Sequence, residues 1–297
     1  MEQSVTETPT VSVVIPYYND ADTIERAVQS VLAQAFTDFE LLIVDDGSEE
    51  ELIGGIGDSA AHRVRIIRHE TNRGAAAARN TGITQSKGHY VAFLDADDCW
   101  RPNKLAQQLG ALRNAEEKIV ACVCGFALHR EGVDKTEVHT TGPMRPFMNE
   151  LIWGCRVSPG STLLCARNCF DTVGLFDEDL RRLEDWDWLL SFAKQNEVGY
   201  IPTILADIFV TKAGGGARCT AVREATRIIK NKHLKTISQL GLIMRQQFLS
   251  TLAIENAAAW YRNGDKIRAG IFAIWSLTIW PFRNARFFRR LSRCMFH

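Results

Sequence analysis

Three carboxylates, Asp95, Asp97 and Asp98, follow directly on the apolar run Tyr90-Val91-Ala92-Phe93-Leu94. An apolar strand that ends in this way delivers like charges to one point. Carboxylates repel one another and are costly to bury without partners. The spacing therefore asks for a counter-charge that the sequence does not contain. A divalent cation such as Mg²⁺, which takes oxygen ligands, has the matching chemistry. The plain alternative is a solvated acidic turn. A second acid-rich turn, Asp45-Asp46-Gly47-Ser48, closes another apolar run, Phe39 to Val44. A third acidic group, Glu184, Asp185 and Asp187, lies where the pattern predicts a helix over 183–194.

The surrounding pattern alternates strands and helices, and this positions the acids. Residues 10–16 read as a buried strand stopped by Pro16. Residues 20–34 read as a helix with Ile24, Val28, Val31 and Leu32 on one face and Asp20 or Asp22 as N-cap. Strands are predicted over 39–44, 64–68 and 89–94, and an alanine-rich helix over 74–86. Such alternation implies an α/β domain with a mostly parallel sheet. Ligands of such sheets bind beyond the carboxyl ends of the strands, where both acid-rich turns fall. Further on, 119–128 and 161–166 read as strands. The Ala213-Gly214-Gly215-Gly216-Ala217 loop marks a boundary, and a helical pattern runs from about 221 to 280 with Gly264 at a hairpin turn.

The bulk composition is that of a soluble globular protein: 297 residues, 46% hydrophobic and 24% charged, with zero formal net charge. That balance gives no signal for nucleic acid. The charge is uneven, since no Asp or Glu follows Asp265, while Lys266, Arg268, Arg283, Arg286, Arg289, Arg290 and Arg293 do. The body is thus near −7 and the tail near +7, which suggests an anionic partner for the tail. Residues 270–282 are apolar but too few to span a bilayer. The tail reads either as an interfacial helix on anionic lipid or as a hairpin packed on the protein with a solvated basic end. The N-terminus lacks the features of a signal peptide, so a cytoplasmic location with reduced thiols is expected, with the tail allowing contact with the inner face of the membrane. The cysteines lack zinc-site spacing and read as small apolar core residues.

Taken in order, Val11-Ser12-Val13-Val14-Ile15-Pro16-Tyr17-Tyr18-Asn19, Phe39 to Ser48, Asn72-Arg73-Gly74 to Ala78-Arg79-Asn80, Phe93 to Asp98, Val173 to Glu178 and Glu184-Asp185-Trp186 resemble a family 2 glycosyltransferase over roughly residues 10–215. The resemblance implies the GT-A nucleotide-sugar-binding fold, a mixed and mostly parallel sheet followed by a C-terminal helical region. It implies three segments: an N-terminal stretch 1–9, a catalytic domain 10–215 and a helical region with its basic tail over 216–297. It further implies an inverting, metal-dependent transfer of a sugar from a nucleotide donor, UDP by expectation, to a hydroxyl acceptor. A growing polysaccharide or a lipid-linked glycan is the expected acceptor.

The implied roles can be placed residue by residue. Asp97 is a direct ligand of Mn²⁺ or Mg²⁺, and Asp95 helps through the ribose or a metal-bound water. Asp98 is either a ligand or a support behind the ligands. Pro16, Tyr18 and Asp46 match positions that cradle the nucleotide base, and Asn72 and Arg79 match nucleotide-side positions. Asp45 can instead stabilise its turn, and Arg79 can be a solvated helix residue. Asp185 matches the general base and Glu184 the residue that orients it or meets the acceptor; acids complementing a helix dipole are the alternative. Trp153 and Trp186 are acceptor-site candidates or core residues. The family's aromatic–Arg pair near the domain end is missing; Lys212 replaces the arginine as a diphosphate contact, and no histidine completes a metal shell. A nucleotidyltransferase is disfavoured because no basic, glycine-rich loop follows the first strand. A non-catalytic binding or scaffold protein remains the alternative from another class.

Overall fold

The computed structural model describes residues 8–50, 63–210 and 216–281, with residues 216–218 described by backbone alone. In chain order the elements begin with β1 (Val11–Tyr17), α1 (Ala21–Leu32), β2 (Phe39–Asp45), β3 (Val64–Arg68), α2 (Ala75–Gln85), β4 (Tyr90–Phe93), β5 (Cys99–Trp100) and α3 (Lys104–Arg113). There follow β6 (Ile119–Arg130), β7 (Val133–His139), α4 (Phe147–Ile152), α5 (Pro159–Thr162), β8 (Leu164–Ala166) and α6 (Cys169–Val173). The last are α7 (Glu184–Phe192), β9 (Glu197–Val210), α8 (Gly216–Gln239), α9 (Leu242–Arg262) and α10 (Lys266–Ile279). They gather into two compact units. The first is Met1–Pro143, Val157–Glu178 and Phe192–Thr211; the second is Met144–Arg156, Asp179–Ser191 and Lys212–His297.

The first unit holds the whole sheet, in the order β3-β2-β1-β4-β8-β6-β9-β5 with β7 paired to β6. Strands β3, β2, β1 and β4 run parallel, and β6 and β9 are also parallel. Strand β8 is antiparallel to both β4 and β6. β1 lies between β2 and β4, and its apolar residues alternate between the two faces of the sheet. Val11, Val13 and Ile15 pack with Ile24, Ala27, Val28 and Val31 of α1 and with Leu105 and Leu109 of α3. Val14 turns to the opposite face, against α2, where Gly82 comes so close that a Cβ there would lie 2.3 Å from the valine. Strand β1 continues one residue beyond Pro16. It can, because β4 stops pairing at Val14, so the missing proline N–H breaks no bond of that ladder.

The N-cap of α1 is Asp20, but its side chain makes no capping bond. The predicted strand over 161–166 is shorter than expected. Pro159 opens a single helical turn, α5, and the strand starts only at Leu164. Cys122, Cys124, Cys165 and Cys169 are buried, as small apolar residues.

The second unit is helical. Its core joins Cys219 and Val222 of α8, Trp260 of α9 and Ala269 of α10. The α9–α10 hairpin turns at Gly264, whose φ of +83° is the left-handed conformation that glycine adopts without strain. Its register is fixed by reciprocal bonds between Ser250 and Ser276. The helical pattern begins at Gly216, earlier than the sequence pattern predicts. Lys212 and the glycines before residue 216 lie outside the described residues, as do Arg283–Arg293 of the basic tail.

Candidate active site

Because β1, β2, β3 and β4 are parallel, their carboxyl ends share one edge of the sheet. That edge brings together Pro16 and Tyr18, Asp45 and Asp46, the turn through Asn72, and the acids Asp95–Asp98.

At the end of β2 the two aspartates do different work. Asp45 is fully buried; its Oδ1 accepts from Ser48 N at 2.9 Å and its Oδ2 from Arg68 at 2.8 Å. This is the turn-stabilising role open to it from sequence. The left-handed φ of Gly47, +76°, completes the turn, and a Cβ there would meet the Thr71 backbone at 2.7 Å. Asp46 is equally buried. Its Oδ1 accepts from Arg73 N at 2.9 Å and lies 2.7 Å from His69 Nδ1; its Oδ2 accepts from Gly74 N at 2.6 Å. Asp46 therefore holds the N–H groups of Arg73 and Gly74, the two residues just ahead of α2, at the end of that helix whose dipole favours an anion. His69 continues the chain of bonds to Thr81 on α2. Tyr18 is 46% exposed at the same edge, and Asn72 is exposed in the turn before α2.

The turn after β4 is held from several sides. Arg79 is not a solvated helix residue: it is buried on α2 and donates to Asp95 Oδ1 at 2.7 Å. The alanines around it, Ala76 to Ala78, are buried too, so the helix meets the sheet closely and carries the guanidinium inward. Asp95 N donates to Ser161 Oγ at 3.2 Å. Gly160 lies against the same carboxylate, and a Cβ there would stand 2.3 Å from Asp95 Oδ2. Asp98 is buried; its Oδ1 accepts from Phe209 N at 2.9 Å, and its Oδ2 from Ser161 Oγ. Asp98 thus ties β4's turn to β9 and α5. Behind it, Arg26 donates to the carbonyl oxygen of Asp97 and lies over the ring of Phe209, 4.0 Å from its centre. Phe209 in turn stacks on His129.

The crowding has an electrostatic signature. Burial and the neighbouring Asp95 push the Asp97 carboxyl up to about 6. Burial, Asp95 and Asp97 push Asp98 up to about 8. A divalent cation among them would offset the part of these shifts that comes from carboxylate repulsion. The residues therefore fit a cation held by Asp97 and Asp95, with Asp98 committed to backbone and serine. Among the described residues no three His, Cys, Asp or Glu form a complete metal shell, so donor oxygens and water would supply the remaining ligands.

Sequence reasoning missed Arg26, Gly160, Ser161 and Phe209 as residues that shape this turn. Only Phe209 carried a signal, as an aromatic residue near the end of the catalytic region.

The acids of α7 belong to the second unit. Leu183, just before them, has φ of +63°, a strained conformation for a branched residue and one found at functional sites. Glu184 is buried, and Asp185 is half-buried with its Oδ1 accepting from Trp186 N at 2.7 Å. Asp187 turns inward to His233 at 2.8 Å and to Lys232. Burial raises its proton affinity, but those two bonds outweigh it and hold its carboxyl below the usual range. Trp186 is a core residue: its indole donates to Leu151 O at 2.9 Å and meets Phe248 edge-on. Trp153 caps the end of α4.

An acidic turn and the exposed Tyr18 thus stand together at the carboxyl ends of the parallel strands, where ligands of such sheets bind. The family described as Glycosyl transferase family 2 matches residues 12–167, more than half of the chain, and the chain belongs to that family. It is thus a glycosyltransferase. An uncharacterized glycosyltransferase of Rickettsia typhi, RT0329, is 29% identical over 84% of this chain and 80% of its own length. The Escherichia coli enzyme WfgD, a UDP-Glc:alpha-D-GlcNAc-diphosphoundecaprenol beta-1,3-glucosyltransferase, is 37% identical over 34% of this chain and 40% of its own. Among solved structures, Staphylococcus aureus TarS residues 1–349 with UDP-GlcNAc superposes with a TM-score of 0.60, at 17% identity over 89% of this chain and 90% of that one. The mannosyltransferase PcManGT of Pyrobaculum calidifontis, with GDP-Man and Mn²⁺, gives 0.56 at 19% identity over 97% of this chain and 80% of that one. The fold is therefore GT-A, followed by a C-terminal helical region.

Proposed function

We propose that the chain transfers a sugar from a UDP-linked donor to a hydroxyl of a lipid-linked glycan, with inversion and with Mn²⁺ or Mg²⁺. The observation that carries this reading is the Asp95–Asp98 turn, fixed by Arg79, Ser161 and Phe209 at the edge where Tyr18 and Asp46 also stand. The UDP-sugars of TarS and WfgD support the donor, the Mn²⁺ of PcManGT supports the cation, and the diphosphoundecaprenol substrate of WfgD supports the acceptor.

In this reading Tyr18 offers its exposed ring to the base, and Asp46, beside Pro16, fixes the base-binding edge with one lone pair left to accept from it. Asn72 and Arg79 serve the nucleotide side, and Lys212 the diphosphate. Asp97 and Asp95 hold the cation, which supplies charge neutralisation of the leaving diphosphate. Asp185 takes the proton of the acceptor hydroxyl while its oxygen attacks the anomeric carbon and the bond to the diphosphate breaks. Glu184 orients that base. The catalytic domain runs over 10–215, with 216–297 as the helical region.

The test is a thermal-shift screen of UDP- and GDP-sugars with and without Mn²⁺ or Mg²⁺, since a ligand bound to the native state raises the melting temperature. A metal-dependent rise with a UDP-sugar, lost in Asp97→Asn, is expected. Asp185→Asn keeps that rise but loses turnover by about 100-fold or more. Turnover untouched by Asp185→Asn removes the base assignment. Donor binding with no turnover by the wild type against any acceptor favours the scaffold alternative.

A further inference from the structure

The hairpin of α9 and α10 is built inside out. Its seam uses small residues: Ala269, Ala273 and Ser276 of α10 are buried, and Ser276 bonds Ser250 of α9. Small residues let two helices approach closely, as they do where lipid rather than water surrounds them. Phe272 also packs inward, but four large apolar side chains of α10 point the other way. Ile267, Ile271, Ile274 and Trp275 are 79%, 60%, 64% and 53% exposed, at the i, i+4, i+7, i+8 spacing of one helix face. An ordinary surface helix places such residues inward. The Ser250–Ser276 register also places the first turn of α9, with exposed Leu242 and Ile243, at the end where α10 finishes.

The charges around this face identify its occupant. α10 contains no acid. Asp265, at its N-cap, is spent on Arg268, whose backbone N–H and guanidinium both reach its carboxylate. Lys266, Arg262 and Arg268 are exposed beside the stripe, and the sequence beyond α10 adds five arginines, three phenylalanines before residue 290, and no acid. A second copy docking face to face would bring these cations against each other. An anionic surface with an apolar interior matches both the stripe and its charges. No helix among the described residues is long and apolar enough to cross a membrane.

We infer that the exposed face of α10 lies in the interface of an anionic lipid bilayer, with Ile267, Ile271, Ile274 and Trp275 inserted among the acyl chains near the headgroups. This deepens the lipid-linked acceptor reading, and it is measured without donor or acceptor, so either can fail alone.

The full chain is floated with phosphatidylcholine vesicles, with or without phosphatidylglycerol. The expected result is binding that requires the anionic lipid. The Ile267→Ser/Ile271→Ser/Ile274→Ser variant, with an unchanged melting temperature, lowers vesicle partitioning by about tenfold or more. Brominated lipid quenches part of the tryptophan emission, and Trp275→Phe removes that part. Wild-type protein that ignores both vesicle types overturns the inference. So does a triple variant that partitions like wild type while Arg→Gln changes at 283–293 abolish binding, because the tail alone then docks. A wild-type dimer in light scattering that the triple variant dissolves, with no loss of vesicle binding, assigns the face to protein instead.

Discussion

Gly160 shows how little space the acidic turn allows. Its Cα stands against the Asp95 carboxylate, so a methyl group there must push the carboxylate away rather than disturb a backbone. Gly160→Ala is expected to lower turnover by about 10-fold or more, by breaking the pre-set geometry of Asp95 and Arg79, while moving the melting temperature little. Equal losses of stability and activity would show that α5 itself had shifted. Lys104 is the opposite case, a fully buried cation beneath the same region. Its ammonium donates to Gln108 Oε1 at 2.7 Å and lies 3.8 Å from the centre of the Trp100 ring. Burial lowers its affinity for the proton to about 8. The unfolded chain therefore holds that proton more tightly than the native one, and the group's contribution to stability rises as the pH climbs from about 8 to the unfolded value near 10.5. Buried cysteines act in the opposite sense above pH 9, so the wild type alone does not isolate the effect. The difference in unfolding free energy between wild type and Lys104→Met does: it should shrink or reverse in favour of wild type across that window. A difference flat with pH would mean that the native state holds the Lys104 proton as tightly as the unfolded chain does.

At the scale of elements, the contrast between strand ends and helices explains what the sequence disclosed. Apolar runs closing in Asp45-Asp46 and Asp95–Asp98 are local signals, and their strands fall within a residue or so of the expected bounds. The parallel order of those strands then accounts for both acid turns meeting at one edge. α5 left no such trace, because Pro159-Gly160-Ser161-Thr162 reads equally as a loop or the start of a strand. Its meaning lies in Ser161 meeting Asp98, 63 residues away. Arg26 is similarly opaque: on the amphipathic pattern of α1 it is one more exposed cation. Arg79 misled in the other direction, because an arginine among alanines carries no sign of which face is buried. On α7, Asp187 ties that helix to α8 through two partners. Asp187→Asn should cost the second unit about 2 kcal/mol at neutral pH, the scale of hydrogen bonds to a buried charge. The half-exposed Lys232 adds little, being screened. Because the native carboxyl is held below its unfolded value, its stabilisation is present above pH 4 and fades as acid titrates it. Unfolding curves that differ equally at pH 7 and pH 3 would contradict that assignment.

Over the whole molecule, the cysteines give a test that needs no substrate. Cys122, Cys124, Cys165, Cys169 and Cys219 are buried free thiols, while Cys99 and Cys155 are partly exposed. Burial raises the Cys122 thiol to about 12 and the Cys169 thiol to about 11, so few thiolates exist at neutral pH. Brief native alkylation followed by mass spectrometry should label Cys99 or Cys155 before any of the buried five. Rapid labelling of Cys165 would mean that β8 opens readily. The division into two units was the least legible part of the chain, since α4 and α7 are grouped with the C-terminal helices although they lie far ahead of them in sequence. Packing rather than composition draws that line.

The bonds of Asp98 also bear on time. Its partner on β9, Phe209, is 111 residues further along the chain, whereas every pairing among β1 to β4 is complete once the chain has reached Phe93. Distant pairings close late, because loop closure must precede them. During synthesis the four parallel strands can therefore assemble while the acidic turn still lacks its far support. Refolding should show helix and sheet signals recovering before nucleotide-sugar binding does, leaving an interval in which the protein is folded in outline and still unable to bind a nucleotide-sugar.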